Sequence, residues 1–255
     1  MATTGTVDAE ARRARILDLL SKSGRVRIDE AASALDVSAM TVRRDLADLE
    51  AEGMLRRVRG GAVASARPRS FTERMATGAE AKLAIARKVQ HLLPLDGAIA
   101  ADASSTVGVL LSQLPDDTAR ELLVATNSHE NFQVARRAPG ATAILVGGEA
   151  EPRTDSFVGP IACAAAQSLH YRRFFTSASA VEPERGAFEV TMAEAQVKAA
   201  FAESADETIL LADSAKLGQT ALALGLPWQR ISLLVTELDP RDPALAPYRE
   251  LVAIL

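Results

Sequence analysis

Arg43 and Arg44 stand side by side in the stretch TVRRDLADLE at positions 41–50. A guanidinium is a planar fork that can donate two hydrogen bonds to O6 and N7 of guanine, worth about 1–3 kcal/mol of discrimination between bases. The hydroxyls of Ser38 and Thr41, just upstream, suit phosphate oxygens. A plainer chemistry competes: Arg44 and Asp48 lie four apart, and such a pair on a solvated helix face is worth about 0.2–0.5 kcal/mol. Downstream, residues 53–70 (GMLRRVRGGAVASARPRS) hold five arginines and no acid, a local concentration of cations that favours a phosphate backbone.

The whole chain has a formal net charge of -4, so its basic character is confined to one end. Residues 1–70 carry 13 Lys and Arg against 10 Asp and Glu, which leaves the remainder, 71–255, with the acidic excess. The opposite signs point to two parts, of which the first faces nucleic acid. At 255 residues, 48% hydrophobic and 24% charged, the chain has the composition of a globular protein with room for two domains. The single cysteine, Cys163, excludes an internal disulfide, reads as a packing residue in IACAAA, and suits a reducing compartment. His91, His129 and His170 show no metal-ligand spacing, so neither a metal nor another cofactor is expected. No apolar run approaches the ~20 residues a membrane span requires, and no hydrophobic signal segment opens the chain, so a cytoplasmic location is expected.

The arginine pair needs a helix to aim it. Ile16, Leu17 and Leu20 repeat at helical spacing before Gly24, and Ile28, Ala31, Ala32 and Leu35 form a second, short helix. Ser38 is a candidate N-cap for a third, in which Val42, Leu46 and Leu49 form an apolar stripe that ends at Gly53. With that stripe inward, Arg43 and Arg44 project roughly 100–200° away from Val42, toward solvent. LRRVRGGAV then reads as two extended runs turning at Gly60 and Gly61, a wing beside a helix-turn-helix.

A linker is expected at 66–70, and from 71 to 255 short apolar strands alternate with helices. GAIAAD, ELLVAT, TAILVGG, RRFFTSA, ETILLAD and ISLLVTE read as strands, separated for the most part by helical segments. That order predicts an α/β domain with a largely parallel sheet covered on both faces.

Residues 26–63 resemble the DeoR-type bacterial regulators, whose recognition helix carries a VS-x-x-T-[IV]-RRDL pattern followed by LE-x-x-G-x-L-x-R-x-x-GGA. The resemblance implies a winged helix-turn-helix DNA-binding domain at 1–65 in which Ser38, Thr41, Arg43 and Arg44 contact double-stranded operator DNA. Arg56, Arg57 and Arg59 would add contacts from the wing; Arg59 stands where the family often has histidine. It continues, more loosely, through a Rossmann-like domain similar to ribose-5-phosphate isomerase and the CoA transferases. Lys82, Asp102 followed by ASST, TNS at 126–128, GG at 147–148, VGP at 158–160, Glu194 with Lys198, and DSAKLG at 213–218 are its landmarks. It implies a homo-oligomeric repressor of sugar metabolism, relieved by a phosphorylated sugar.

The residues themselves support an effector site. AADASSTVGVLL is a strand entering a helix through Ser104, Ser105 and Thr106, where free N–H groups favour an anion, although helix capping would use the same residue types. The family usually has glycine at 104. Asn127 can bind a hydroxyl, Gly147 and Gly148 read as a site loop or a simple turn, and Lys216 offers a cation or a surface pair with Asp213. Lys82 at a helix start reads as solvated, and Lys198 with Glu194 reads as i,i+4 helix support. The alternative is an isomerase-like enzyme with a DNA-binding arm, but FFTSASAV at 174–181 holds no acid to move a proton. No catalytic residue is assigned.

Overall fold

Residues 4–23, 25–51, 55–64, 70–115, 121–152 and 154–255 are described by the computed structural model, in two units, Met1–Arg69 and Ser70–Leu255. Gly24, Gly53 and residues 66–69 of the expected linker lie outside the described residues.

The first unit contains α1 (Thr4–Ser23), β1 (Arg25–Arg27), α2 (Ile28–Leu35), α3 (Ala39–Ala51), β2 (Leu55–Val58) and β3 (Gly61–Ala64). Asp36 adopts a left-handed conformation (φ 51°) that ends α2 and turns the chain toward Ser38. The Ser38 hydroxyl then accepts from the N–H of Thr41 at 3.1 Å, a cap on the first turn of α3. Val42, Leu46 and Leu49 are buried against Ile16, Leu20, Val26, Ala31, Leu55 and Ala62, as their spacing requires. The wing has a third strand that the sequence does not announce: β1 pairs antiparallel with β3, which pairs with β2. Gly60 turns the wing at φ +86°, and a Cβ at Gly61 would lie 2.0 Å from the Val26 carbonyl, so β1 can approach only a glycine.

The second unit opens with α4 (Phe71–Ala76), absent from the sequence reading, and α5 (Ala79–Val89). It continues through β4 (Asp96–Ala101), α6 (Ser105–Leu111), β5 (Glu121–Thr126), α7 (His129–Ala135), β6 (Ala141–Leu145), β7 (Glu149–Glu151), β8 (Ser156–Val158) and α8 (Gly159–Gln167). Then come β9 (Tyr171–Thr176), β10 (Ala180–Glu182), β11 (Gly186–Glu189), α9 (Met192–Glu203), β12 (Ala205–Leu211), β13 (Ala223–Pro227), β14 (Leu233–Val235) and β15 (Ala253–Ile254). Seven strands form a parallel sheet in the order β15-β14-β12-β9-β4-β5-β6.

Alternation along each strand fills both faces. Ala100, Ala125, Phe174 and Leu210 enter one cluster, with Tyr171, Phe201 and Trp228, while Ile99, Val124, Phe175 and Ile209 enter the other, with Ile85, Val107 and Leu110. Phe174 stacks on Phe201 at 5.3 Å, and Tyr171 meets the same ring edge-on at 5.7 Å. Two antiparallel additions, β7-β8 and β10-β11-β13, decorate this frame. From β4 the chain steps outward to β5 and β6, then returns to the other side of β4 as β9, so strand order reverses between β4 and β9. In an open α/β sheet that reversal leaves a crevice at the carboxyl ends of the two strands, the usual ligand position. Among the described residues no helix is long and apolar enough to cross a membrane.

Candidate functional site

On the first unit, α3 presents Arg43 and Arg44 to solvent while Asp45, the next residue, is buried. Asp45 accepts Nε and Nη2 of Arg12 at 2.6 and 3.0 Å, which joins α3 to α1 and fixes the rotation of the helix. Asp48 lies 3.8 Å from Arg13 of α1, so it is not reserved for Arg44 as helix-surface pairing would have it. The Ser38 and Thr41 hydroxyls are 2.9 Å apart at the start of α3.

In the wing, Arg57 is engaged: its Nε lies 2.6 Å from Glu50 Oε2 and its N–H donates to Glu50 Oε1 at 2.8 Å. This two-point bond ties β2 to the last turn of α3. Arg59 is exposed at the wing turn, and the Arg56 side chain lies outside the described residues. A shallow groove of about 440 Å³ runs between α3 and the wing, with Arg43, Glu50, Arg57 and Arg59 along it. A recognition helix flanked by a cationic wing is the geometry that enters a major groove and grips the adjoining phosphates.

On the second unit, Asp102 follows β4 directly and is 1% exposed. Its Oδ1 accepts from the N–H of Ser104 at 2.9 Å, and its Oδ2 accepts from Thr176 Oγ1 at 2.6 Å and from the N–H of Ser177 at 3.1 Å. Lys198 Nζ, from α9, lies 2.7 Å from the same Oδ2 and 2.6 Å from Glu189 Oε1, and donates to the Ser177 carbonyl at 2.5 Å. Lys198 is therefore no surface partner for Glu194, as the i,i+4 spacing suggested. Burial alone would push the Asp102 carboxyl up, but the Lys198 charge and the hydrogen bonds from Lys198, Ser104 and Thr176 outweigh it and hold the pKa below the ordinary value. Burial would likewise favour a neutral Lys198, yet Asp102 and Glu189 raise its pKa instead. Both groups are ions.

Lys216 reaches the same point from the other side. Its Nζ donates to Ser177 Oγ at 2.9 Å and stands 3.6 Å from Asp213 Oδ2, a loose pairing that leaves donor capacity at the crevice. Ser177, beyond the end of β9, is thus touched by two ammonium groups.

The remaining expected residues divide. Ser104 Oγ accepts from the N–H of Val107 at 3.2 Å, so it caps α6. Ser105 and Thr106 are buried in the first turn of α6, and Thr106 Oγ1 has no partner among the described residues. Asn127 donates from Nδ2 to the Phe157 carbonyl at 2.9 Å, and its buried Oδ1 has no partner among the described residues. Gly147 is unobstructed, whereas a Cβ at Gly148 would fall 2.5 Å from the Val158 carbonyl, a packing reason for that glycine. Asn127 and the two glycines stand past the ends of β5 and β6, on the same edge as Asp102 but one and two strands away. Lys82, read as solvated, is buried: it donates to the carbonyls of Arg74 and Thr77 at the end of α4.

Thr176, Ser177 and Glu189 belong to the crevice but carry no assignment from the sequence, and Lys198, a landmark of the resemblance, reads there by its spacing only as helix support. A signal for Lys198 was present: it stands between Val197 and AAFA, apolar residues whose spacing turns that side of the helix toward the core. Cys163 packs against the core, and burial raises its thiol pKa.

The family model for the DeoR-like helix-turn-helix domain matches residues 12–67, and that for the DeoR C terminal sensor domain matches residues 77–238. The HTH-type transcriptional regulator YulB of Bacillus subtilis is 31% identical over 90% of this chain and 90% of its own length. A lactose phosphotransferase system repressor of Streptococcus mutans is 30% identical over 95% of this chain and 98% of its own. Among solved structures, ribose 5-phosphate isomerase A of Methanocaldococcus jannaschii is similar over 55% of each chain, with a TM-score of 0.40 and 16% identity. Two matched domain models in this order, and relatives aligned over nearly the whole length, establish that the chain belongs to the DeoR family of transcriptional regulators.

Proposed function

We propose that this regulator is a repressor of genes for the metabolism of a sugar or sugar derivative, and that a phosphorylated sugar relieves repression. Residues 1–65 bind the operator, with Arg43 and Arg44 of α3 at the base edges and Ser38, Thr41, Arg56 and Arg59 at phosphates. Arg57 holds the wing to α3 through Glu50. Residues 71–255 bind the effector in the crevice beyond β4 and β9 and join copies of the chain, since paired half-sites lie roughly 34 Å apart along DNA. The observation that carries the effector reading is the convergence of Lys198 and Lys216 on Ser177. Lys198 is neutralised by two carboxylates, so Lys216 is the cation with donors left for a phosphate.

We assign binding, not turnover, to this crevice. Asp102 is held as an ion by Lys198 and three further donors, and a carboxylate so satisfied is a weak base. The effector must prefer the DNA-free arrangement, because a ligand with equal affinity for both states shifts nothing. The test is a gel shift on an operator selected by the full chain from a random DNA library, repeated with ribose 5-phosphate, glucose 6-phosphate, fructose 6-phosphate and fructose 1-phosphate. Release by one of them supports the reading. Indifference to all four, or steady isomerisation of one, contradicts it.

A further inference from the structure

Arg74, on α4, bridges the loop that borders the crevice after β4 and the turn between β7 and β8. Its Nη1 donates to the Ala103 carbonyl at 2.9 Å, between Asp102 and Ser104, and its Nη2 donates to the Thr154 carbonyl at 3.1 Å. The Thr154 segment is itself fastened. Phe157 donates its N–H to the Asn127 carbonyl at 2.7 Å and accepts from Asn127 Nδ2, while the Thr154 and Ser156 hydroxyls bond to each other at 2.9 Å. One guanidinium therefore clamps the loop after β4 to the segment that holds Asn127.

The helix that carries Arg74 is short but fastened at every end. Ser70 and Glu73 form a reciprocal capping box at its start, and Lys82 donates to the Arg74 and Thr77 carbonyls at its finish. Phe71 lies against α6, close enough that a side chain at Gly108 would meet its ring at 3.0 Å. These contacts fasten α4 to the loop after β4 and to α6. Its first capping residue, Ser70, is also where the second unit begins, joined by one peptide bond to the chain that leads to the DNA-binding unit. Arg74 Nε is buried and has no partner among the described residues, so one donor is left over for a second arrangement of the two segments.

We propose that Arg74 is the positioning residue that couples the crevice to the DNA-binding unit: by tying the Ala103 and Thr154 carbonyls to α4, it converts a displacement of either segment into a displacement of Ser70. This deepens the effector reading and rests on it for the identity of what displaces the segments, but the clamp itself can be tested without any ligand.

The experiment is amide hydrogen exchange on the full ligand-free chain and on Arg74→Ala. The expected result is a loss of protection by roughly tenfold in residues 71–77, 103–107 and 154–158 together, with the slowest amides of β4, β5 and β9 unchanged. Arg74→Lys, whose one ammonium lacks the fork, restores one loop at most. Loosening of α4 alone, equal loss across the sheet, or no change overturns the proposal. A second arm uses the selected operator and whichever of the four sugar phosphates releases the wild type: at phosphate concentrations that saturate each protein, Arg74→Ala is released roughly tenfold less than the wild type. Release equal to wild type, or loss explained entirely by lost phosphate binding, overturns it. Should none of the four release the wild type, the sugar-phosphate reading falls, and the exchange result still decides for or against the clamp.

Discussion

Asp45 and Arg12 form a two-pronged ion pair, 2.6 Å at Oδ2 and 3.0 Å at Oδ1, between the helix that carries Arg43 and Arg44 and the helix that backs it. Asp45 is 3% exposed and the Arg12 side chain 20% exposed, so removing the carboxylate takes two charge-assisted hydrogen bonds from a partly buried guanidinium. Asp45→Ala should cost roughly 2–3 kcal/mol of stability in the first unit, measured by chemical denaturation. Below that unfolding transition, the variant should also lose more operator discrimination than non-specific affinity, because α3 is no longer fixed in rotation. A variant as stable as wild type would show that the pair contributes nothing.

Arg43→Ala and Arg44→Ala should leave helicity and thermal midpoint unchanged, since both side chains are exposed. Each should weaken specific binding by the ~1–3 kcal/mol of a lost base contact; a smaller loss, uniform across sequences, would mark a phosphate contact instead. Competition gel shifts with the selected operator and with scrambled DNA separate the two, because only loss of a base contact relaxes sequence preference.

The recognition helix was legible because its signal is local. Val42, Leu46 and Leu49 lie within two turns, and the Ser38 cap and the Gly60 turn punctuate the unit where the structure does. The strands of the large sheet were legible for a similar reason: each is a short apolar run between polar loops. What stayed hidden depends on contacts distant in sequence. Asp102 acquires its meaning from Lys198, Thr176 and Ser177, which the strand-order reversal brings to it. The three-residue β1 and β10 are too short for alternation to show, and α4, at six residues, is too short for helical periodicity.

Lys198→Met strands Asp102 and Glu189 as buried, unpaired carboxylates and should cost about 3–5 kcal/mol. Combining it with Asp102→Asn and Glu189→Gln removes the unpaired charges and should cost less than Lys198→Met alone, a non-additive result that denaturation of the four variants reads directly. Additive losses would mean that the three residues do not act as a network.

Glu194 gives the opposite sign of pH dependence to Asp102. Burial and the nearby Glu189 charge raise its pKa, so the folded state binds a proton more tightly than the unfolded one, and stability falls as pH rises from the ordinary glutamate value of about 4.3 through the folded pKa. Glu194→Gln should therefore improve relative to wild type as pH rises across that window. Asp102, with a lowered pKa, contributes stability that is lost as pH falls from about 3.9 toward its folded value, so the deficit of Asp102→Asn should shrink in acid. Thermal midpoints followed against pH check both slopes.

Release, by an anion bound at Lys216, of DNA held by Arg43 and Arg44 is the step we propose. Its most direct measurement is operator affinity for the wild type and for Lys216→Ala, each with and without the sugar phosphate that releases the wild type. Operator affinity should be equal for the two proteins without the phosphate, and release by it should be confined to the wild type. Release of Lys216→Ala at the same phosphate concentration would contradict that step.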